Sequence, residues 1–221
     1  MGSMGVLVLF LLLYLSVFLH ELGHFLAARR LGLTPSLLAV GAPPWLLRRS
    51  VRGIPLALGL LPLGGGVVIE KEEDLDRLPL FQVMGIFLAG PMVSLVLGLL
   101  TFILLGLVQG DIVGIFGRLL GALREVDLFQ DASFRDSIAA SRIAFQKLPP
   151  VQAVLLLFGL LNLGNALFNL LPLPPLDGGA ALFFGLRRIR WGRAVYLAMV
   201  VVGVALILSF SIGVLVRDFW R

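Results

Sequence analysis

Four long apolar runs alternate along this chain with more polar segments that hold every charged residue except Glu21. A helix needs roughly 20 apolar residues to cross the hydrocarbon of a bilayer. The pattern therefore predicts spans at about 6–28, 80–108, 151–171 and 194–216. The first run closes on Arg29-Arg30, a basic flank suited to a membrane boundary. The second is rich in glycine and carries Pro91 near its start. The third stops at Pro172, Pro174 and Pro175, because proline cannot continue a helix.

The connections carry patterns of their own. VRGIPLALGLLPLGGGVVIE, residues 51–70, consists of two apolar runs separated by Pro62 and Gly64-Gly65-Gly66, which predicts a hairpin. It is too apolar for a solvated loop. Such a hairpin either dips into the membrane, where its backbone must be covered by protein or line a wet cavity, or packs on the bundle. Between Asp111 and Pro150, Ile112, Ile115, Phe116, Leu119, Leu120 and Leu123 recur at helical spacing among five acidic and five basic residues. This predicts an amphipathic outer segment, lying in the interface or packed on the rim of the bundle.

The 221 residues are 59% hydrophobic and 14% charged, against about 25% charged in soluble domains. The expected fold class is therefore an all-α polytopic membrane protein with about four transmembrane helices and a re-entrant β-hairpin between the first two. Residues 1–221 make a single membrane-embedded domain. No cysteine is present, which excludes disulfides, iron–sulfur clusters and thiol catalysis. The net charge of +5 sits beside the apolar runs, where it sets topology rather than binding nucleic acid. Seven Lys and Arg fall between Arg29 and Arg77 and four between Arg187 and Arg193, so these connections are expected in the cytoplasm and both termini outside. Met1-Gly2-Ser3-Met4 has the look of a cloning remnant ahead of a start at Met4. No positive charge precedes the apolar run, which speaks against a cleaved signal peptide.

Chemistry concentrates in His20-Glu21-Leu22-Gly23-His24, which holds the only two histidines. Four residues apart on a helix, two imidazoles face one metal ion while a glutamate stands beside it as general base, the arrangement of HExxH zinc proteases. Such groups cost several kcal/mol inside a bilayer unless paired or wet, so they mark function unless they serve a polar helix–helix contact. His20 precedes Arg29 by nine residues, about 13 Å along a helix, which puts the metal in the hydrocarbon toward the cytoplasmic face. A catalytic zinc takes three protein ligands plus water. With no third histidine, the candidate is a carboxylate at the same depth, and Asp177 follows the third span. Asp177 before two glycines equally fits a helix cap or the start of a turn.

HELGH together with Asn169-Leu-Leu-Pro-Leu-Pro-Pro-Leu-Asp177-Gly-Gly resembles the site-2 protease family of intramembrane zinc metalloproteases. The resemblance implies one zinc ion held by His20, His24 and Asp177, with Glu21 as catalytic base. It also implies that Asn169 engages substrate backbone. ALGLLPLGGGVVIE is similar to the family's re-entrant hairpin, which implies a substrate-aligning role for the segment with Gly64, Gly65 and Gly66. AGPMVS, residues 89–94, resembles a family segment that usually ends in asparagine, from which Ser94 departs. Bacterial members of one branch carry PDZ domains of about 90 residues between the second and third spans. The 40 residues from Asp111 to Pro150 imply a compact member without one.

The resemblance implies partners among transmembrane protein substrates and the lipid bilayer of the plasma (inner) membrane, filtered by the outer segment, the hairpin or an adaptor. The alternatives are a membrane metal-binding or transport protein using the same ligands and a catalytically silent relative that only binds membrane helices. Glu21 separates these alternatives, because transport needs ligands but no base.

Overall fold

A computed structural model describes residues 3–51, 53–71, 73–125 and 148–219. In order these form helix α1 (Ser3–Arg30), strands β1 (Pro35–Val51) and β2 (Ile54–Ile69), and short helix α2 (Glu73–Arg77). Helices α3 (Leu80–Gln109), α4 (Ile112–Glu125), α5 (Pro150–Asn169), α6 (Asp177–Phe183) and α7 (Gly192–Phe219) follow, with a 3-10 turn at Phe184–Arg188. Among the described residues four helices are long and apolar enough to cross a bilayer: Met4–Arg30, Leu80–Gln109, Pro150–Asn169 and Gly192–Ser209. These match the four predicted spans. The chain is a multi-pass membrane protein.

Contacts divide the chain into two compact units, one from the described parts of Met1–Ser16 and Leu95–Leu163, the other from those of Val17–Ser94 and Gly164–Arg221. In the first unit Phe102, Leu105, Ile115 and Leu163 form the core. Gly98 and Gly159 bring α3 and α5 together, since a Cβ at Gly98 would stand 3.1 Å from the Leu163 nitrogen and one at Gly159 3.2 Å from the Phe102 ring. Ser16 donates to the side-chain oxygen Oδ1 of Asn162 at 3.1 Å, and the Asn162 side-chain amide donates to the Phe158 backbone carbonyl at 2.9 Å. Both side chains are buried, so an apolar environment strengthens this pairing of α1 with α5. Asp111 caps α4 by accepting from the Gly114 N–H at 2.8 Å. The predicted amphipathic helix forms here, with Ile115 buried in the core and Phe116 and Leu119 packed against it. The remainder of the 111–150 segment, residues 126–147, lies outside the described residues.

In the second unit a core of Ala28, Leu33, Ile69, Leu75, Val83, Ile86 and Phe184 ties the ends of α1 and β2 to α2, α3 and the 3-10 turn. Arg188 reaches across to donate to the Leu75 and Leu78 carbonyls at the end of α2, where a cation favours the exposed carbonyls.

The hairpin differs from the predicted one. Its strands run from Pro35 to Ile69, and its turn lies between the paired residues Val51 and Ile54, not at Pro62 and Gly64–66. Gly53 supplies the positive φ of 79° that this turn requires. Pro62 and the three glycines are inside β2, where Gly64, at φ 69°, marks an irregularity. Leu38, Ala39 and Val40 each have two partners: Val67, Gly66 and Gly65 on one side, Leu56, Ala57 and Leu58 on the other. Leu56, Ala57 and Leu58 pair in turn with Arg49, Arg48 and Leu47. The ribbon is thus bent back on its own base, and the segment 65–69 forms one edge of the resulting sheet.

Candidate metal centre

The zinc-motif residues all lie within the second unit. His20, Glu21 and His24 are buried on α1 at 4%, 6% and 7% exposure, which is possible for polar groups only if each has a partner. Helix α3 supplies two. The Ile86 carbonyl lies 2.8 Å from His24 Nδ1, and Ser94 Oγ lies 3.0 Å from His20 Nδ1. A carbonyl only accepts, so the His24 ring proton sits on Nδ1 and leaves the Nε2 lone pair free to ligate.

Small residues allow this approach. A Cβ at Gly23, between the histidines, would stand 2.8 Å from the Ala89 carbonyl oxygen, and one at Gly90 would run into the His24 imidazole. Next to Gly90, Pro91 is fully buried within α3. It has no N–H to give the Phe87 carbonyl and its ring crowds that turn, the turn that also presents the Ile86 carbonyl to His24.

Asp177 is the first residue of α6. The cap position is Leu176, extended and without a side-chain cap bond, so the carboxylate is not spent on a helix cap, which was the competing expectation. Its Oδ2 lies 3.0 Å from His20 Nε2 and 3.3 Å from His24 Nε2, while the two Nε2 atoms are 3.2 Å apart. Gly178 and Gly179 make this placement possible, because a side chain at either would collide with the Leu170–Pro174 backbone. Burial by itself would raise the Asp177 carboxyl; when the imidazoles of His20 and His24 beside it are protonated, their hydrogen bonds and charge outweigh burial and hold the group below its usual value.

The donor set fits zinc. Ligands about 2.0–2.1 Å from a tetrahedral zinc stand about 3.3 Å apart, and the three distances here run from 3.0 to 3.3 Å. Two imidazole nitrogens and one carboxylate oxygen would fill three corners of such a site and leave the fourth for water or substrate.

Glu21 stands beside this triangle. Its carboxyl packs against β2, where a Cβ at Gly65 would meet Glu21 Oε1 at 2.8 Å. A cavity of 220 Å³ lies between, lined by Glu21, His24, Asp177, Gly65, Gly66 and Val67 among others. Gly65 and Gly66 thus reach the centre, whereas Gly64 and Asn169 do not line the cavity. The Asn169 amide donates instead to the Asn165 carbonyl at 3.0 Å and to its side-chain oxygen at 2.9 Å. Asn165 donates to Ser94 Oγ at 3.3 Å. Sequence reasoning missed Asn165 and the Ile86 carbonyl. The first was visible as a polar residue one helical turn before Asn169. A backbone carbonyl leaves no trace in sequence.

Comparison with known proteins agrees with this chemistry. The profile of Peptidase family M50 matches residues 8–210. The chain is 33% identical over 172 residues, 78% of its length, to "Putative zinc metalloprotease sll0528" of Synechocystis, covering 29% of that protein. It is 36% identical over 103 residues, 41% of its length, to "Putative zinc metalloprotease Cj1068" of Campylobacter jejuni, covering 28% of it. A protein named "Putative zinc metalloprotease" in Borreliella burgdorferi is 27% identical over 160 residues, 64% of the chain and 36% of the relative. The chain thus spans about a third or less of the length of these relatives.

Proposed function

The chain belongs to Peptidase family M50, the site-2 protease family, and from that premise we propose that it is an intramembrane zinc endopeptidase that hydrolyses peptide bonds within or near transmembrane segments of other proteins. The observation that carries this reading is the triangle of His20 Nε2, His24 Nε2 and Asp177 Oδ2 with Glu21 beside it, the two histidines and the glutamate being on a helix long enough to span the bilayer. A zinc ion bound there supplies a water of lowered pKa and a Lewis acid for the scissile carbonyl. Glu21 accepts the water's proton and returns it to the leaving amine, a role for a carboxylate close to the ligands but not one of them.

A substrate helix hides its carbonyls in its own hydrogen bonds, and freeing them in lipid costs several kcal/mol per group. The sheet edge at 65–69 offers replacements. It borders the metal cavity through Gly65, Gly66 and Val67, so an unwound substrate joins it as an added strand and brings a carbonyl to the centre. Gly65 and Gly66 keep side chains out of that path. Asn169, whose amide is taken by Asn165, offers its carbonyl oxygen to a substrate N–H.

The test is Glu21→Gln in protein reconstituted into liposomes with a membrane-anchored reporter. Cleavage is expected to fall by roughly 10²–10⁴-fold while one equivalent of zinc stays bound. Undiminished cleavage overturns the protease mechanism. Zinc flux into the liposomes without cleavage by the wild type replaces it with transport.

A further inference from the structure

The two imidazoles are held differently. His24 Nδ1 faces a backbone carbonyl, which can only accept, whereas His20 Nδ1 faces the hydroxyl of Ser94, which can accept or donate. A hydroxyl left to itself rotates, and one that donates to Nδ1 places the ring proton on Nε2, where it blocks the metal. Ser94 is not left to itself. It is wholly buried, and its oxygen also receives the Asn165 amide at 3.3 Å from α5. Asn165 is braced in turn by Asn169, one turn further along α5, through both its side-chain and its backbone oxygen.

We infer that Ser94 and Asn165 are positioning residues for the metal ligand His20. Asn165 anchors the Ser94 oxygen between α3 and α5, and Ser94 Oγ accepts the hydrogen bond that His20 Nδ1–H donates when Nε2 ligates, which fixes the ring's rotation and supports the tautomer that presents Nε2. The chain of contacts from Asn169 through Asn165 and Ser94 ends on His20, so none of its members needs to touch metal or substrate for this effect. Metal ligands whose second nitrogen loses such a partner typically lose 10–100-fold in metal affinity. The inference rests on the zinc reading of the site, but its readout is binding rather than cleavage.

The experiment compares wild type, Ser94→Ala, Asn165→Leu and the double variant in detergent, titrating zinc against a chromophoric chelator and recording the visible absorption of the Co²⁺-loaded forms. Ser94→Ala is expected to weaken zinc about 10–100-fold and to alter the Co²⁺ spectrum. Asn165→Leu weakens it several-fold, about an order of magnitude at most. Because both act through one oxygen, the double variant matches Ser94→Ala to within about twofold, the non-additivity of a shared network. Far-UV circular dichroism of each variant monitors the fold, and should Ser94→Ala not fold, the Asn165→Leu affinity and spectrum carry the test. Zinc affinity unchanged in Ser94→Ala, or in Asn165→Leu if that is the only variant measured, overturns the inference. So does an Asn165→Leu effect that persists undiminished in the Ser94→Ala background. A wild-type protein that binds no zinc overturns the proposed function instead.

Discussion

At the scale of single residues, the proposed function divides the centre into atoms that hold a metal and atoms that move a proton. Removing a ligand removes a corner of the donor triangle, so His24→Ala and Asp177→Ala are expected to lose both zinc and cleavage, whereas Glu21→Gln loses cleavage alone. Metal content of the purified variants by atomic emission checks the division, and full zinc in Asp177→Ala would exclude it as a ligand. Gly90 gives a less obvious prediction. It offers the metal no ligand, yet a Cβ there would run into His24 at Nε2, the ligand atom itself. Gly90→Ala, although it favours helix by about 1 kcal/mol intrinsically, is expected to lower zinc affinity by at least tenfold, a displaced ligand costing as much as a lost partner. Unchanged affinity would mean that α3 shifts freely against α1.

At the scale of elements, the sheet separates folding from substrate capture. Leu58 has partners on both sides, Val40 and Leu47, so proline there removes a bond inside the sheet and breaks it. Val67 lies on the edge segment with only Leu38 opposite it in register. Leu58→Pro is expected to lower the unfolding temperature as well as cleavage, whereas Val67→Pro slows cleavage with a smaller thermal change. Thermal unfolding and reporter cleavage measured on both variants check this. Normal cleavage by Val67→Pro would remove the edge from the mechanism. Asn169→Ala tests the element at the other side of the centre. It should slow cleavage more for a continuous helical substrate than for one already opened by Gly or Pro near the cut, because less unwinding then remains to be offset. Equal slowing would confine Asn169 to bracing Asn165.

At the scale of the whole molecule, a zinc ion in the proposed site would tie α1 to the segment that follows α5. His20 and Asp177 are 157 positions apart and meet only in the folded chain, so metal binding is linked to folding. Chelation is expected to lower the unfolding temperature of wild type and Glu21→Gln and to leave His24→Ala unaffected. A ligand at 100 times its Kd contributes about 2.7 kcal/mol, a shift that a thermal melt resolves. The absence of cysteine provides a clean background for orientation. We expect a single cysteine at Arg190 to react with a membrane-impermeant maleimide only from the cytoplasmic side and one at Asp111 only from the outside. The reverse pattern would invert the proposed topology.

The sequence alone determined what depends on local pattern. Apolar runs of 20 or more residues specify the four spans, because a bilayer accepts little else over that length. The four-residue spacing in HELGH specifies two imidazoles on one helical face, and the isolated carboxylate after a proline cluster pointed to Asp177. The hairpin was only partly legible. Pro62 and Gly64–66 carry turn residues without making the turn, because glycine also serves a strand that passes close to another group, as Gly65 passes Glu21. The true turn at Gly53 and the strand Pro35–Val51 were obscured by arginines in a segment whose pairing is set at long range. Tertiary structure alone decided the partners of the histidine Nδ1 atoms, the bend of the ribbon onto its base and the bracing of Ser94 by Asn165. Each depends on how closely separate helices and strands approach, and no periodicity along one segment encodes that distance.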